Sequence, residues 1–335
     1  MNLHFRRAAS ILILVLWSLV LLAVFAVIAG YSVRQKLTVL KRLSQRQDAR
    51  FLNEAAINKG IFEVQRAREK TYFFLKKHAP ETMEPEVDIR SDSPGQKEYR
   101  FKVVTGISES KLSVFDEERK ININIAPMEH LKRLCMVTLG TDIMVAQELA
   151  ASIVDWRDTD SMLSIPLGSA EDSFYRSFPY SYEAKDGPFE VLEELLLVKG
   201  VTQEVFEKIK KYITIYGDGK INVNTASGEV LASLGIDRSV VERIMVFRAG
   251  GDGVVGTGDD GVIASPLDLG PVLRAPQNRL SEAHIKQYEL IADQYLTTQA
   301  RFFTLDASSR IRETVTGRTV CVVDRSGNVV YWSES

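Results

Sequence analysis

Cysteine and histidine are scarce in this chain. Of its 335 residues only two are cysteine, Cys135 and Cys321, and four are histidine, His4, His78, His130 and His284. Two thiols so far apart make neither a disulfide framework nor a zinc site, and scattered histidines support no Ser-His-Asp or His-metal set. A basic excess is missing as well: the formal net charge of −2 leaves no electrostatic footprint for nucleic acid. No charge occurs between Ala8 and Val33, and no proline before Pro80. What is present is 45% hydrophobic and 26% charged, the balance of a globular protein with room for two or three domains. No catalytic constellation stands out, so the expectation is a protein that is not an enzyme.

The uncharged run is apolar from Ile11 to Ile28. About 20 such residues cross a bilayer core, so 10–33 reads as a transmembrane helix. A secretory signal peptide has a shorter apolar core and a small-residue cleavage site after it. Apolar residues then recur at helical spacing through Leu37, Leu40 and Leu43, and through Phe51, Leu52, Ala55 and Ala56. The helix therefore continues past the bilayer, with Gly60 expected to loosen it at roughly 1 kcal/mol relative to alanine. A second helical stretch follows from Ile61 to Lys77, then a proline-rich acidic connector from Glu81 to Gly95. Arg6 and Arg7 flank the span on one side, and Arg34, Lys36, Lys41, Arg42 and Arg46 on the other. A bare positive-inside count thus disfavours an exported body, although long domains translocate despite flanking charge.

One stretch occurs twice. Lys120 to Ala126 reads Lys-Ile-Asn-Ile-Asn-Ile-Ala, and Lys220 to Ala226 reads Lys-Ile-Asn-Val-Asn-Thr-Ala. Glu129, Leu131 and Leu134 match Glu229, Leu231 and Leu234. Each copy alternates like a half-buried strand and then changes to helical spacing. Asn124 and Asn224 stand where an N-cap is wanted, and Pro127 suits a first helical turn. Strand-like runs precede both copies, Leu112 to Phe115 and Tyr212 to Tyr216, so each unit is expected to be a short hairpin feeding a helix. Asp116 to Arg119 and Gly217 to Gly219 would be the hairpin turns.

Further helices are expected at Met128–Leu139, Ile143–Trp156, Phe189–Val198, from Thr202 to Lys211, Ser239–Arg248 and Ser281–Ala292. Two loops are acidic. One carries Asp155, Asp158 and Asp160 with Glu171 and Asp172. The other, Gly250 to Gly261, carries Asp252, Asp259 and Asp260 among glycines. Tyr99 to Val104 and four short runs after Phe302 (Phe302–Leu305, Ile311–Val315, Val320–Val323 and Val329–Trp332) read as strands, with a turn at Arg325 to Asn328. Strands at both ends bracket a helical middle, which predicts an α-domain inserted into an α+β domain.

The strand–helix units also resemble helix-hairpin-helix DNA-binding modules, which bind phosphate at a glycine-rich helix entry. The expected hairpins here, Gly140 to Asp142 and Gly235 to Arg238, each contain an acid. A structural use of the helices is favoured, and a membrane-anchored DNA-binding protein is the alternative.

A more specific resemblance runs through the chain in order. Basic residues precede Ile13 to Trp17. Then come Lys120 to Asn124, Asp155 to Asp160 (Asp-Trp-Arg-Asp-Thr-Asp), Gly168 to Glu171, Glu194 to Gly200 and Ile221 to Ala226. Together they resemble the general secretion pathway protein K family, the large minor pseudopilins of bacterial type II secretion. The resemblance implies an α+β, pilin-like fold: a long N-terminal transmembrane helix packed on a small antiparallel sheet, with a large inserted α-helical domain. The expected division is a leader at 1–9, the membrane helix at 10–33, the helix and first strands at 34–127, the inserted domain at 128–292 and the closing strands at 293–335. The resemblance also implies cleavage by prepilin peptidase between Ala9 and Ser10, with Ala8 as the alternative, and a body in the periplasm anchored in the inner membrane. Expected partners are the I and J minor pseudopilins, with the secreted substrate or the outer-membrane secretin beyond them and no nucleic acid. Major pilins carry a glutamate at the fifth mature position. Counting from Ser10 places Leu14 there, and counting from Ala9 places Ile13, so this chain offers no buried carboxylate to a subunit ahead of it. The implied place is the filament tip. Calcium is implied too, in one of the two acidic loops, with the second expected because its acids and glycines are dense.

Overall fold

The computed structural model describes residues 3–66, 99–105, 108–166, 168–253, 259–311 and 314–335. The uncharged run and the periodic stretch after it form one helix, α1 (Leu3–Arg66). Among the described residues it is the one helix long and apolar enough to cross a membrane, and its apolar window is wholly exposed. Ala9 and Ser10 lie within it. The stretch expected from Ile61 continues the same helix to Arg66; its remainder to Lys77 and the connector lie outside the described residues. Strands β1 (Tyr99–Thr105) and β2 (Ser108–Asp116) follow.

The middle of the chain is then built from β3 (Ile121–Asn122), α2 (Met128–Leu139), α3 (Ile143–Arg157), α4 (Asp172–Tyr175), α5 (Gln203–Ile209) and β4 (Ile213–Thr214). It continues with β5 (Ile221–Asn222), α6 (Gly228–Ser233), α7 (Arg238–Arg248), α8 (Leu269–Leu273), α9 (Glu282–Tyr295) and β6 (Leu296–Thr297). The helix starts follow side-chain chemistry. Asp142, Thr202, Ser227, Asp237 and Ser281 each accept a hydrogen bond from a first-turn N–H, satisfying a donor that the helix itself leaves open. Asn124 and Asn224 cap nothing. Phe189 to Val198 is not an α-helix: it enters in extended form at Val191, makes a 3-10 segment over Leu192–Leu197, and is followed by Gly200 at φ +81°.

The expected hairpins are absent. β3 pairs in parallel with β4, and β5 in parallel with β6. Parallel partners cannot be joined by a tight turn, so each pair closes a long excursion of chain. Leu112 to Phe115 belongs instead to β2.

The chain leaves the sheet at the end of β2 and returns at β7 (Phe302–Ile311), followed by β8 (Thr314–Asp324) and β9 (Val329–Glu334). The four short runs read near the C-terminus thus merge into three strands. The order is β1-β2-β7-β8-β9, antiparallel throughout, and Asp116 pairs with Phe303. Exit and return points are therefore neighbours in the sheet. The second half of α1 lies on one face. Ala49, Asn53, Ala56, Ile57 and Val64 recur at helical spacing and are buried with Leu112, Val114, Leu305, Ala307, Cys321 and Val323 of the sheet. Asn53 joins this interface by accepting from Ser110 Oγ and donating to Thr319. Gly60 does not loosen α1. A Cβ there would stand 2.7 Å from Leu112 Cδ2 and 3.1 Å from Leu305 Cδ2, so the glycine lets helix and sheet approach closely. The middle of the chain has its own core, around Leu131, Leu134, Trp156, Ile213, Leu231, Ile244 and Tyr288. Cys135 is buried there and Cys321 under α1, both as free thiols.

Candidate functional site: two acidic loops on a duplicated frame

The repeated motif builds the same joint twice. In each copy the first asparagine turns the chain: Asn122 Oδ1 accepts from Asn124 N at 2.9 Å, and Asn222 Oδ1 from Asn224 N at 3.0 Å. The second asparagine clamps a distant segment at two points. Asn124 donates to Phe189 O and accepts from Phe189 N; Asn224 does the same with Ile263. The residue between them extends the parallel pair, Ile123 N donating to Thr214 O and Val223 N to Thr297 O. An arginine ending the second helix then reaches back. Arg157 donates to Ile123 O and Ala126 O, and the fully buried Arg248 donates to Ala226 O. The duplication thus extends well past the fifteen positions legible in the sequence, to the returning strands β4 and β6.

The two acidic loops occupy equivalent places in this frame, each running from the back-reaching arginine to the clamped segment. In the first loop Asp155 is fully buried, and its Oδ1 accepts from Ser164 N. Asp155 Oδ2, Asp158 Oδ1 and Glu171 Oε1 are buried with no hydrogen-bond partner. Burial, and then the charges of Asp155, Asp158, Asp186 and Asp160, push the Glu171 carboxyl up to about 7. Burial, with Asp160 and Asp155 next, pushes Asp158 up to about 6. Of the predicted residues, Asp155, Asp158, Asp160 and Glu171 therefore sit within reach of one another's fields. Asp172 is turned elsewhere, accepting from Ala184 N and pairing with Arg176. Sequence reasoning missed Asp186, which joins the group from a residue with φ +49°; the Asp-Gly pair at Asp186 and Gly187 was the available signal. Lys199 holds the loop from outside, its Nζ 2.8 Å from Gly168 O.

In the second loop Asp259 Oδ2 accepts from Gly251 N and Asp252 N, so this carboxylate closes its own loop. Asp252 is exposed and Asp260 is buried. Residues 254–258 lie outside the described residues. Among the described residues, no three His, Cys, Asp or Glu side chains are already drawn together closely enough to hold a metal ion. The first loop nevertheless fits a hard cation in its donor chemistry, because unpartnered buried carboxylate oxygens that repel one another are what calcium neutralises.

The hairpins that raised the DNA-binding alternative carry no free phosphate seat. Asp142 takes the N–H groups of Met144 and Val145, and Asp237 takes that of Ser239. Those donors are the ones a phosphate would need.

Residues 112–218 match the family model of type II secretion system protein K, first domain. That match spans β2 to β4, ending just before the second asparagine motif. A type II secretion system protein K of Pseudomonas aeruginosa is 27% identical over 254 residues, covering 72% of this chain and 73% of that protein. One from Pectobacterium carotovorum is 28% identical over 95 residues, 28% of each chain. Among solved structures, a chain of the GspK-GspI-GspJ complex from enterotoxigenic Escherichia coli shares the fold with a TM-score of 0.58 at 16% identity. The match covers 90% of this chain and 98% of that one. The motif order, the family model over residues 112–218 and a fold shared over 90% of the chain agree, and the chain is similar to type II secretion system protein K.

Proposed function

We propose that this protein sits at the tip of the type II secretion pseudopilus, joined to the I and J minor pseudopilins, and starts or caps the filament during export across the outer membrane. The observation that supports this reading most is the shared fold over nearly the whole chain with a protein solved in a complex of those three names. The apolar, unpaired first half of α1 gives it the means. A helix with no buried window needs lipid or neighbouring helices along it. No carboxylate stands at Ile13 or Leu14, so the chain cannot neutralise the amino terminus of a subunit ahead, and growth beyond it is disfavoured. The body would stand on the periplasmic side, anchored by one span in the inner membrane after prepilin peptidase cuts near Ala9 and Ser10. It would face the secreted substrate or the outer-membrane secretin. The test is co-purification of the full chain, in detergent, with co-expressed I and J pseudopilins. A stoichiometric ternary complex is expected. Salt-sensitive DNA binding without such a complex would instead support the membrane-anchored DNA-binding alternative.

Calcium belongs to the same reading. We assign it to the first acidic loop, held by Asp155, Asp158, Glu171 and backbone carbonyls, with Asp160 and Asp186 adding charge. The second loop is the weaker seat because Asp259 is committed to its own backbone. The bound ion would supply positive charge that offsets the repulsion among these acids and fixes the loop where calcium is plentiful. Trp156 lies between two candidate ligands and packs edge-on against Tyr175, at 5.2 Å between ring centroids. Terbium luminescence excited through tryptophan should therefore appear with the full chain and be displaced by calcium. Melting should shift upward with calcium relative to chelator, by about 2.7 kcal/mol at a hundredfold excess over Kd. Binding needs ionised carboxyls, so affinity should fall as pH drops through about 7 and about 6, the ranges set for Glu171 and Asp158. An unchanged midpoint together with no calcium by elemental analysis would remove the assignment.

A further inference from the structure

We propose that Glu118 is a carboxylic acid at neutral pH, that it shares its proton with Asp116, and that this proton locks the inserted body to the sheet. The place is the joint itself. Asp116 ends β2, and Glu117 to Arg119 make one 3-10 turn before the body begins. All four charged side chains are buried, against every expectation for a charged turn.

Each acid ties the sheet to the body. Asp116 Oδ1 accepts from Glu118 N at 2.8 Å, and Asp116 Oδ2 accepts from Asn222 Nδ2 at 2.6 Å and Thr225 Oγ1 at 2.7 Å, both in the second asparagine loop. Glu118 Oε2 accepts from Arg301 N at 2.9 Å and Phe302 N at 3.2 Å, where the chain re-enters the sheet. Glu118 Oε1 has no partner while the carboxyl is ionised. Glu117 accepts from Lys120 Nζ, Thr214 Oγ1 and Thr304 Oγ1, again spanning body and sheet.

Among the described residues, the charged side chains around the joint are engaged with other groups. Lys120 is 2.6 Å from Glu117, and this ion pair with its hydrogen bonds outweighs burial and keeps the Glu117 carboxyl low. The Arg301 guanidinium turns outward to Asp218 at 2.9 Å. Arg119 lies over the Phe115 ring, and Tyr216 stacks on Phe302. Two buried carboxylates side by side cannot both ionise cheaply. A proton on Glu118 Oε1, donated to Asp116, satisfies the orphaned oxygen and removes one charge. Burial first, and the Asp116 charge second, raise Glu118 to about 8; burial raises Asp116 as well.

A carboxyl raised in the folded state binds its proton more tightly there than when unfolded. The stabilisation is complete below the ordinary glutamate range and is lost as pH rises through about 8. The loss falls at the joint, because that is where the second charge appears.

The test uses the full chain in detergent micelles and reads amide exchange at Arg301, Phe302 and the Asn224 loop, corrected for the intrinsic effect of pH. Between about pH 5 and about pH 8 the wild-type protection at these amides should fall, by up to about tenfold per pH unit for one proton, and level off above that. Glu118→Gln keeps an acceptor for both N–H groups and a donor toward Asp116, and its protection should be flat. Equal pH courses in the two proteins, or no loss in either, would overturn the proposal. Should Glu118→Gln not fold, infrared spectra of the wild type decide. A protonated carboxyl band that disappears near pH 8, above the range of Glu171 and Asp158, is expected, and its absence refutes the shared proton.

Discussion

Gly60→Leu is expected to lower the stability of the pilin-like part by about 3 kcal/mol, the upper end for overpacking a filled core. Even a bare Cβ at this position would come within 2.7 Å of Leu112 and 3.1 Å of Leu305. Both leucines are fully buried between α1 and the two central strands, so neither has open space to enter. A leucine side chain must therefore push α1 off the sheet. Gly60→Ala should cost less than Gly60→Leu, because roughly 1 kcal/mol of helix propensity offsets part of the strain of displacing the Leu112 and Leu305 methyls. Denaturant unfolding in detergent, followed by tryptophan fluorescence, separates the regions. Trp332 lies on β9 and Trp156 in the body, while Trp17 stays in the exposed span throughout. The loss should show in the Trp332 transition. A Gly60→Leu protein that unfolds like wild type would mean that α1 and the sheet are not in close contact.

Arg248→Met should cost the body about 1–3 kcal/mol, and Arg157→Met about half as much, from the cost of leaving a buried carbonyl unsatisfied. Arg248 is wholly buried and donates from Nη1 to Ala226 O at 2.5 Å, with Met245 Sδ 3.5 Å away. Methionine fills much of the volume but cannot answer the carbonyl. Arg157 serves two carbonyls, Ile123 and Ala126, but lies partly exposed, so water replaces some of what is lost. The Trp156 transition should move in both variants and the Trp332 transition should lag. An Arg248→Met protein as stable as wild type would show that removing a buried charge compensates in full, as apolar replacements of buried ions sometimes do.

The helices were legible because their signals are local. Asp142, Thr202, Ser281 and the leucine spacing of α2 announce starts and faces within a few residues. The two-residue strands were legible as strands but not in their partners, since a parallel pair between Ile121 and Ile213 leaves no turn signal in between. The asparagines misled for a related reason. An amide that clamps a backbone segment sixty-five positions away, as Asn124 clamps Phe189, has the same local pattern as an N-cap. Asp116 to Arg119 reads in sequence as a hairpin turn, where four adjacent charges are usually exposed. Their burial depends on Asn222, Thr225 and Arg301, which no window around the turn contains. The acids of the first loop were named from sequence, but their mutual repulsion became visible only once Asp186 and Glu171 were brought to the end of α3.

The parallel pairs also set an order of events for a chain that emerges amino terminus first. The unit that begins at β3 can close once Thr214 has appeared, while everything after it is still to come. The unit that begins at β5 must wait for Thr297. β2, although made early, has only β1 beside it until β7 arrives. Contacts of such sequence separation form slowly. As the chain emerges, the first asparagine unit can therefore close its parallel pair before the second exists, while the face of α1 that carries Ala56 and Ile57 stays uncovered until the last strands arrive. Truncation before Phe302 would leave that face and β2 permanently open, making the C-terminal segment the step that commits the molecule to its final shape.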